Sequence, residues 1–331
     1  MKTLLFAALF AAGTSFAQTP AVPATASLEA TNWKLATGYR AESFHTQNIA
    51  QFAREVGVAS SGQLTIEVFP NNTLAKLAEI SQAVRDGKAH AGETIMTSLV
   101  KDIPVAGADS VPFVVSSYSD AQRLWKLQRP GIEKHFTQRG LTLLYAVPWP
   151  PQGLHSSKPI RSLADFKGTQ MRTYNPTTVR IAELLGARPV AVATADVGKA
   201  LAEGRMDNMI TSAVTGVENK VWGQIKHYYE INAWIPKNVV FVNSKALEAL
   251  KPVTRAAVLK AAGDAELRGW AASQALAVSA TEELRANGVK IERIPADVEQ
   301  EIKRMGERFS REWVSSVGNE ANTIFVPYYF K

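Results

Sequence analysis

Not one cysteine occurs among the 331 residues. That absence excludes a thiol nucleophile, a zinc-thiolate site and any disulfide, so the fold must be held together by its core. Long apolar runs are missing beyond the first twenty residues, and the composition is 46% hydrophobic and 20% charged. Both a disordered chain and a multi-span membrane protein are excluded by that balance. Charge of one sign is scarce too. Lys plus Arg number 37 against 30 Asp plus Glu, and no run of five or six basic residues occurs, so a nucleic-acid partner is not expected. The catalytic signatures G-x-S-x-G, H-E-x-x-H, G-x-x-x-x-G-K-[ST] and G-x-G-x-x-G are all absent. His45, His90, His135, His155 and His227 are scattered without metal-ligand spacing. Neither a metal nor a cofactor is expected, and the one enzyme reading left is an exported α/β hydrolase whose Ser and His converge in space.

What is present begins with Lys2, the apolar run Leu4 to Ala12 and the small-residue site Ser15-Phe16-Ala17. This is the form of a cleavable signal peptide over 1–17, and its apolar run falls short of the roughly 20 residues a permanent span requires. Cleavage removes Lys2 and leaves 36 cations against 30 anions, a net charge of +6. With no Cys near the cleavage site, a lipid anchor is not expected, and the mature chain is read as a soluble exported protein. Residues 18–30, rich in Ala, Pro, Thr and Ser, read as a flexible leader.

The length suits two domains or lobes at roughly 100 to 200 residues each. Trp33 to Thr37 reads as a strand, and Ser43 opens a helix with Phe44, Ile49, Phe52, Ala53 and Val56 on one face. Leu64 to Phe69 alternates as a strand and Leu77 to Arg85 returns as a helix. Further units are a helix at Asp120 to Gln138, strands at Leu141 to Val147 and Gln170 to Thr173, and helices at Thr177 to Leu185 and Ala195 to Glu203. This alternation implies α/β units with mostly parallel sheets. Pro252 to Asn287 holds eleven Ala and no internal Pro, a helix too long for one lobe at roughly 50 Å. A second long helix from Asp297 to about Val317 stripes Val298, Ile302, Met305, Phe309 and Trp313 along one face.

The stretch Ile160 to Ser212 carries the chemistry. A strand ends at Arg172, and Asn175-Pro176-Thr177 caps the following helix, so Arg172 projects at the ligand edge of an open α/β sheet. Taken alone, a surface salt bridge explains such an arginine equally well.

Asp165-Phe166-Lys167-Gly168 with Met171-Arg172, then Leu185-Gly186-Ala187, Pro189-Val190 and Ala200-Leu201-Ala202-Glu203-Gly204-Arg205-Met206-Asp207, resemble the extracytoplasmic solute-binding proteins of tripartite ATP-independent periplasmic (TRAP) transporters. The DctP-like pattern D-x-K-G-x-x-x-R covers their carboxylate-clamping Arg. The resemblance extends through Gly62 to Pro70 and Val111-Pro112-Phe113-Val114 to the long C-terminal helix. It implies an α/β, two-lobed periplasmic-binding-protein fold with hinge strands and a long helix spanning both lobes. Lobe I is then 31–148 plus about 238–277, and lobe II is 149–237 plus about 278–331. The function implied is non-enzymatic: a monomeric receptor that captures a small carboxylate and passes it to TRAP membrane subunits.

Sialic-acid-binding members carry a second Arg where this chain has Pro150-Pro151-Gln152-Gly153, so Gln152 brings a donor without charge. A monocarboxylate with an apolar or aromatic body is therefore expected. The candidate ligand-binding set is Arg172, Trp149, Gln152, Tyr39, Arg40, Phe113, Ile95, Met96, Thr211, Ser212 and Trp234. A two-lobed binding protein serving an ATP-driven importer or a sensor stays open as the alternative.

Overall fold

The computed structural model describes residues 30–330. The expected signal peptide 1–17, and the leader 18–30 but for its last residue, lie outside the described residues. The chain first lays down β1 (Thr31–Ala36), α1 (Phe44–Ala59), β2 (Leu64–Phe69), α2 (Ile80–Arg85), β3 (Ala91–Ile95), α3 (Tyr118–Thr137) and β4 (Leu141–Pro148). It then crosses to β5 (Gly153–Ser156), β6 (Gln170–Thr173), α4 (Pro176–Leu184), β7 (Arg188–Ala191), α5 (Val197–Ala202), β8 (Asn208–Thr211), α6 (Ala213–Glu218) and β9 (His227–Tyr229). It returns through β10 (Lys237–Asn243), α7 (Ser244–Glu248) and α8 (Pro252–Ala286), and closes with β11 (Lys290–Glu292), α9 (Ala296–Val317) and α10 (Asn319–Tyr329).

The result is an α/β protein of two lobes, each built on its own sheet, ordered β2-β1-β3-β10-β4 and β11-β9-β5-β8-β6-β7. Both sheets are mixed. In lobe I only β10 runs against its neighbours, and in lobe II only β5 does. Each is the first strand laid down after the chain has crossed from the other lobe. β4 carries the chain out of lobe I and β10 carries it back alongside, from Lys237 opposite Pro148 to Asn243 opposite Leu141, so the pair has to be antiparallel. β10 is buried on both faces: Val239 and Phe241 pack into one core of lobe I, Val240 and Val242 into the other. This alternation of two apolar sets explains why its sequence reads as one continuous apolar run.

α8 has 35 residues and spans about 50 Å at 1.5 Å per residue. Val258, Ala261, Ala262 and Ala265 pack into lobe I, while Ala280 and Leu284 pack into lobe II. At the crossing with β4 the helix backbone comes so close that a Cβ on Gly269 would lie 2.4 Å from Val147 Cγ2. Alongside, the Trp270 indole donates to Ala146 O at 3.1 Å.

Two expectations change. Leu77 to Arg85 and Ala195 to Glu203 each begin as a 3-10 turn, at Leu77–Glu79 and Thr194–Asp196, before the shorter helices α2 and α5. The expected assignment of 278–331 to lobe II also fails at its end. Val298 and Ile302 of α9 enter the lobe II core, but Phe309 and Trp313 lie against lobe I, and Ile324, Phe325 and Tyr328 of α10 are buried there. The apolar stripe of α9 is continuous because it serves both lobes.

Candidate functional site

The segment that delivers Arg172 is built by local capping. Ser162 and Asp165 form a capping box on the 3-10 turn Leu163–Phe166, where Asp165 Oδ2 accepts from the Arg161 and Ser162 amides at 2.8 Å each. Those two bonds hold the Asp165 carboxyl below the usual carboxylate range. Gly168, at φ +76, turns the chain into β6, a backbone conformation that a side chain would strain. Asp207 then fixes the start of that strand, its Oδ2 accepting from Gln170 N at 2.8 Å while its own amide donates to Gln170 O at 2.7 Å. The acids and glycines of the motif therefore set the strand, and Arg172 is what the strand presents.

Arg172 is 1% exposed, flanked by Met209 of β8 and Val190 of β7. Its Nε donates to Val192 O at 2.9 Å and Nη2 to Thr194 Oγ1 at 3.1 Å, which fixes the guanidinium plane and leaves Nη1 without a hydrogen-bond partner among the described residues. The Tyr174 ring lies 4.8 Å from the guanidinium carbon. No carboxylate comes within salt-bridge distance of Arg172 among the described residues. Burial pulls its pKa down to about 10, an opposition to the charged form worth roughly 3 kcal/mol. His155 nearby is pushed down to about 3 by burial and stays neutral. A buried, oriented, unpaired cation is what an incoming carboxylate needs.

Arg172 lines a cavity of about 560 Å³ between the lobes. Lobe I contributes Tyr39, Leu77 and Ile95, the crossing segments contribute Trp149, Gln152 and Pro236, and lobe II contributes Tyr174, Thr211 and Thr215. The aromatic wall is pinned from behind. Asn238 Oδ1 accepts from the Trp149 indole at 2.9 Å and from the Tyr39 hydroxyl at 3.3 Å, and its Nδ2 donates to Glu93 Oε1 at 2.9 Å. Glu93 also accepts from Thr37 Oγ1 at 2.6 Å and lies 3.3 Å from His45 Nδ1. Burial lowers the His45 pKa behind that wall and raises that of Tyr39, which lines the cavity as a neutral phenol. Gln152 is held in place on both sides of its amide, one Nε2 hydrogen donating to Pro150 O at 2.8 Å and Oε1 accepting from the Tyr174 hydroxyl at 3.4 Å.

Of the candidate set, Arg172, Trp149, Gln152, Tyr39, Ile95 and Thr211 come together on this cavity. Five do not. Met96 is fully buried in the lobe I core. Ser212 caps α6, its Oγ accepting from Thr215 N. Phe113 adopts φ +62 and wedges its ring against Gly306 of α9, where a Cβ would lie 2.6 Å from Phe113 Cδ2. Trp234 is fully buried in the lobe II core beside α9. Arg40 turns its guanidinium onto lobe II backbone rather than into the cavity. In each case an apolar or satisfied surrounding holds the side chain elsewhere. Tyr174, Thr194 and Thr215 were missed. Tyr174 stands one residue past the end of β6, with its ring beside the Arg172 guanidinium. Thr194 and Thr215 depend on which loops meet, for which the sequence has no local sign.

No helix among the described residues is long and apolar enough to cross a membrane, and no cluster that could hold a metal ion is found among them. The bacterial extracellular solute-binding protein family 7 matches residues 35–316. The chain is similar to the solved structure of DctP6, a Bordetella pertussis extracytoplasmic solute receptor binding pyroglutamic acid, with 37% identity and a TM-score of 0.88 over 91% of this chain and 100% of that one. It is similar also to a marine metagenome TRAP solute-binding protein specific for pyroglutamate, with 35% identity and a TM-score of 0.88 over 92% of this chain and 100% of the other. A solute-binding protein of Roseobacter denitrificans is 26% identical over 56% of this chain and 58% of its own length, so the chain spans little more than half of that curated relative.

Proposed function

The chain belongs to the bacterial extracellular solute-binding proteins of family 7, and on that premise we propose that it is a periplasmic receptor for a compact monocarboxylate of the pyroglutamate type. It would deliver this solute to the membrane subunits of a TRAP transporter. Membership places it among receptors, not enzymes. The observation that carries the ligand class is Arg172: a buried guanidinium, fixed by Val192 and Thr194, that has no acid of its own and lines the cavity between the lobes.

The mechanism follows from the electrostatics of that group. In the empty protein the burial of Arg172 is unfavourable, and a carboxylate that pairs with it relieves the cost while gaining charge-assisted hydrogen bonds to a buried guanidinium. Among the described residues the only other cation lining the cavity is the exposed Lys76, so a second ligand charge would find no buried cationic partner equivalent to Arg172. The Tyr39, Trp149 and Tyr174 rings and Ile95 form a wall for a small flat body. Among the monocarboxylates expected from sequence, a five-membered lactam is favoured over an aryl acid because relatives at 37% and 35% identity bind pyroglutamate.

Thermal unfolding against pyroglutamate, aryl and branched oxo-acids, succinate, malate, glucuronate and sialic acid tests the reading. A ligand at 100 times its dissociation constant stabilises by about 2.7 kcal/mol. Pyroglutamate should raise the melting temperature most, and a preference for the dicarboxylates or sugar acids would overturn the assignment. Delivery is tested by uptake into proteoliposomes carrying the TRAP membrane subunits, where transport should require the receptor.

A further inference from the structure

Arg40 lies in the loop after β1, in lobe I, and is half-buried. Its guanidinium reaches across the cleft. Nη1 donates to Glu218 O at 3.2 Å, while Nη2 donates to Asn219 Oδ1 at 3.3 Å and to Ala195 O. All three acceptors belong to lobe II, and the Glu218 carboxyl of that lobe also faces Arg40. We infer that Arg40 is the latch that holds the lobes closed over the bound solute, a positioning residue that acts through lobe II and does not touch the ligand. The inference rests on the receptor reading above.

The socket is well made. Asn219 Oδ1 also accepts from Gly198 N at 3.2 Å, and Asn219 Nδ2 donates to Thr215 O at 2.9 Å. A Cβ on Gly198 would come within 2.9 Å of Asn219 O, so the Ala195 to Gly198 turn is pressed onto the end of α6. Carbonyls at a helix end have no intrahelical partner, which leaves Glu218 O free to accept from a group outside the helix.

The latch is also wired to the anchor. Arg172 holds Val192 O and Thr194 Oγ1, and Ala195, the next residue, receives Arg40. One short segment thus carries the cation that meets the carboxylate and the carbonyl that meets the opposite lobe. A carboxylate on Arg172 steadies that segment, and the steadied segment is a better acceptor for Arg40. In an open form Arg40 returns to water, so its contacts favour the closed state specifically and should appear in the rate of ligand escape.

Stopped-flow dissociation of pyroglutamate and the distance between spin labels on the two lobes, measured on wild type, Arg40→Met and Arg40→Lys, test the latch. Arg40→Met should raise the off-rate about tenfold or more, with the on-rate within about threefold, because mutations of one interface act mainly on dissociation. The liganded interlobe distance should broaden toward the open form, with the melting temperature of the empty protein unchanged, and Arg40→Lys should recover part of the effect. Equal off-rates and distances in wild type and Arg40→Met overturn the latch while leaving the receptor reading intact. Absence of pyroglutamate binding by wild type overturns the ligand assignment and, with it, the coupling inferred here.

Discussion

Each lobe buries a cation completely, and the two are treated in opposite ways. In lobe I, Lys237 is fully buried with Asp109, whose Oδ2 accepts from the Lys237 amide at 2.8 Å and from Nζ at 3.3 Å. Burial raises the Asp109 pKa and lowers that of Lys237, and each opposes the other's shift. In lobe II, Arg172 is buried to the same degree, but its partners are a backbone carbonyl, a hydroxyl and the face of Tyr174. A charge that is paired at home serves the fold; a charge left unpaired beside a cavity waits for something from outside.

Breaking the comparison at Arg172 should have the largest effect. Arg172→Met is expected to weaken carboxylate binding by about 3 to 5 kcal/mol, because the ligand charge would be buried without a partner. The empty protein should be no less stable, since the substitution removes a charge whose burial is unfavourable. Calorimetric titration and thermal unfolding of the same variant separate the two readouts. Because the Arg172 pKa falls only to about 10, the group stays charged below pH 9 and its contribution should be flat across the neutral range.

Lys237→Met should do the reverse: a loss of about 3 to 5 kcal/mol in stability as Asp109 is stranded, seen in urea unfolding. Replacing both, Lys237→Met with Asp109→Leu, should restore most of it. If the double variant is as unstable as the single one, the pair is not the reason that lobe I tolerates the charge.

Tyr174→Leu sharpens the contrast inside lobe II. It removes the ring under Arg172 and should cost about 1 kcal/mol of binding, of the order of a cation–π contact, with the unfolding temperature little changed. A loss as large as that of Arg172→Met would mean that Tyr174 itself holds the ligand.

The smallest effect concerns the seam between the lobes. The Glu218 carboxyl faces Arg40, Glu42 and Ser43, and burial raises its pKa to about 7. The folded protein therefore keeps a proton there that the unfolded chain, near 4.5, has released. The stability from this group is complete below about pH 4.5 and is lost as pH rises through about 7. Glu218→Gln should flatten that decline, seen as a smaller fall in the melting temperature on raising the pH from 5 to 8 than wild type shows.

The place of Arg172 near the end of β6 was legible because its determinants are local: the Ser162 to Asp165 box, Gly168 and the Asn175 cap set β6 and its end between Ser162 and Asn175. The long α8 was legible for the same reason. The direction of β5 and β10 was not, since it depends on where the chain crosses between lobes. Phe113 and Trp234 were misread because an aromatic side chain in a loop has the same sequence signature whether it faces a cleft or wedges against α9. Arg40 was expected in the ligand-binding set, and its place on lobe II backbone instead depends on loops that meet across 155 residues of chain or more.

The most direct measurement pairs the ligand with its neutral counterpart. Wild type and Arg172→Met are titrated calorimetrically with pyroglutamate and with the amide in which its carboxylate is replaced by a carboxamide. A coupling between the two changes of about 3 kcal/mol or more is expected, with wild type strongly preferring the acid and the variant nearly indifferent. Wild type binding the amide as tightly as the acid would contradict the assignment of Arg172 as the carboxylate anchor.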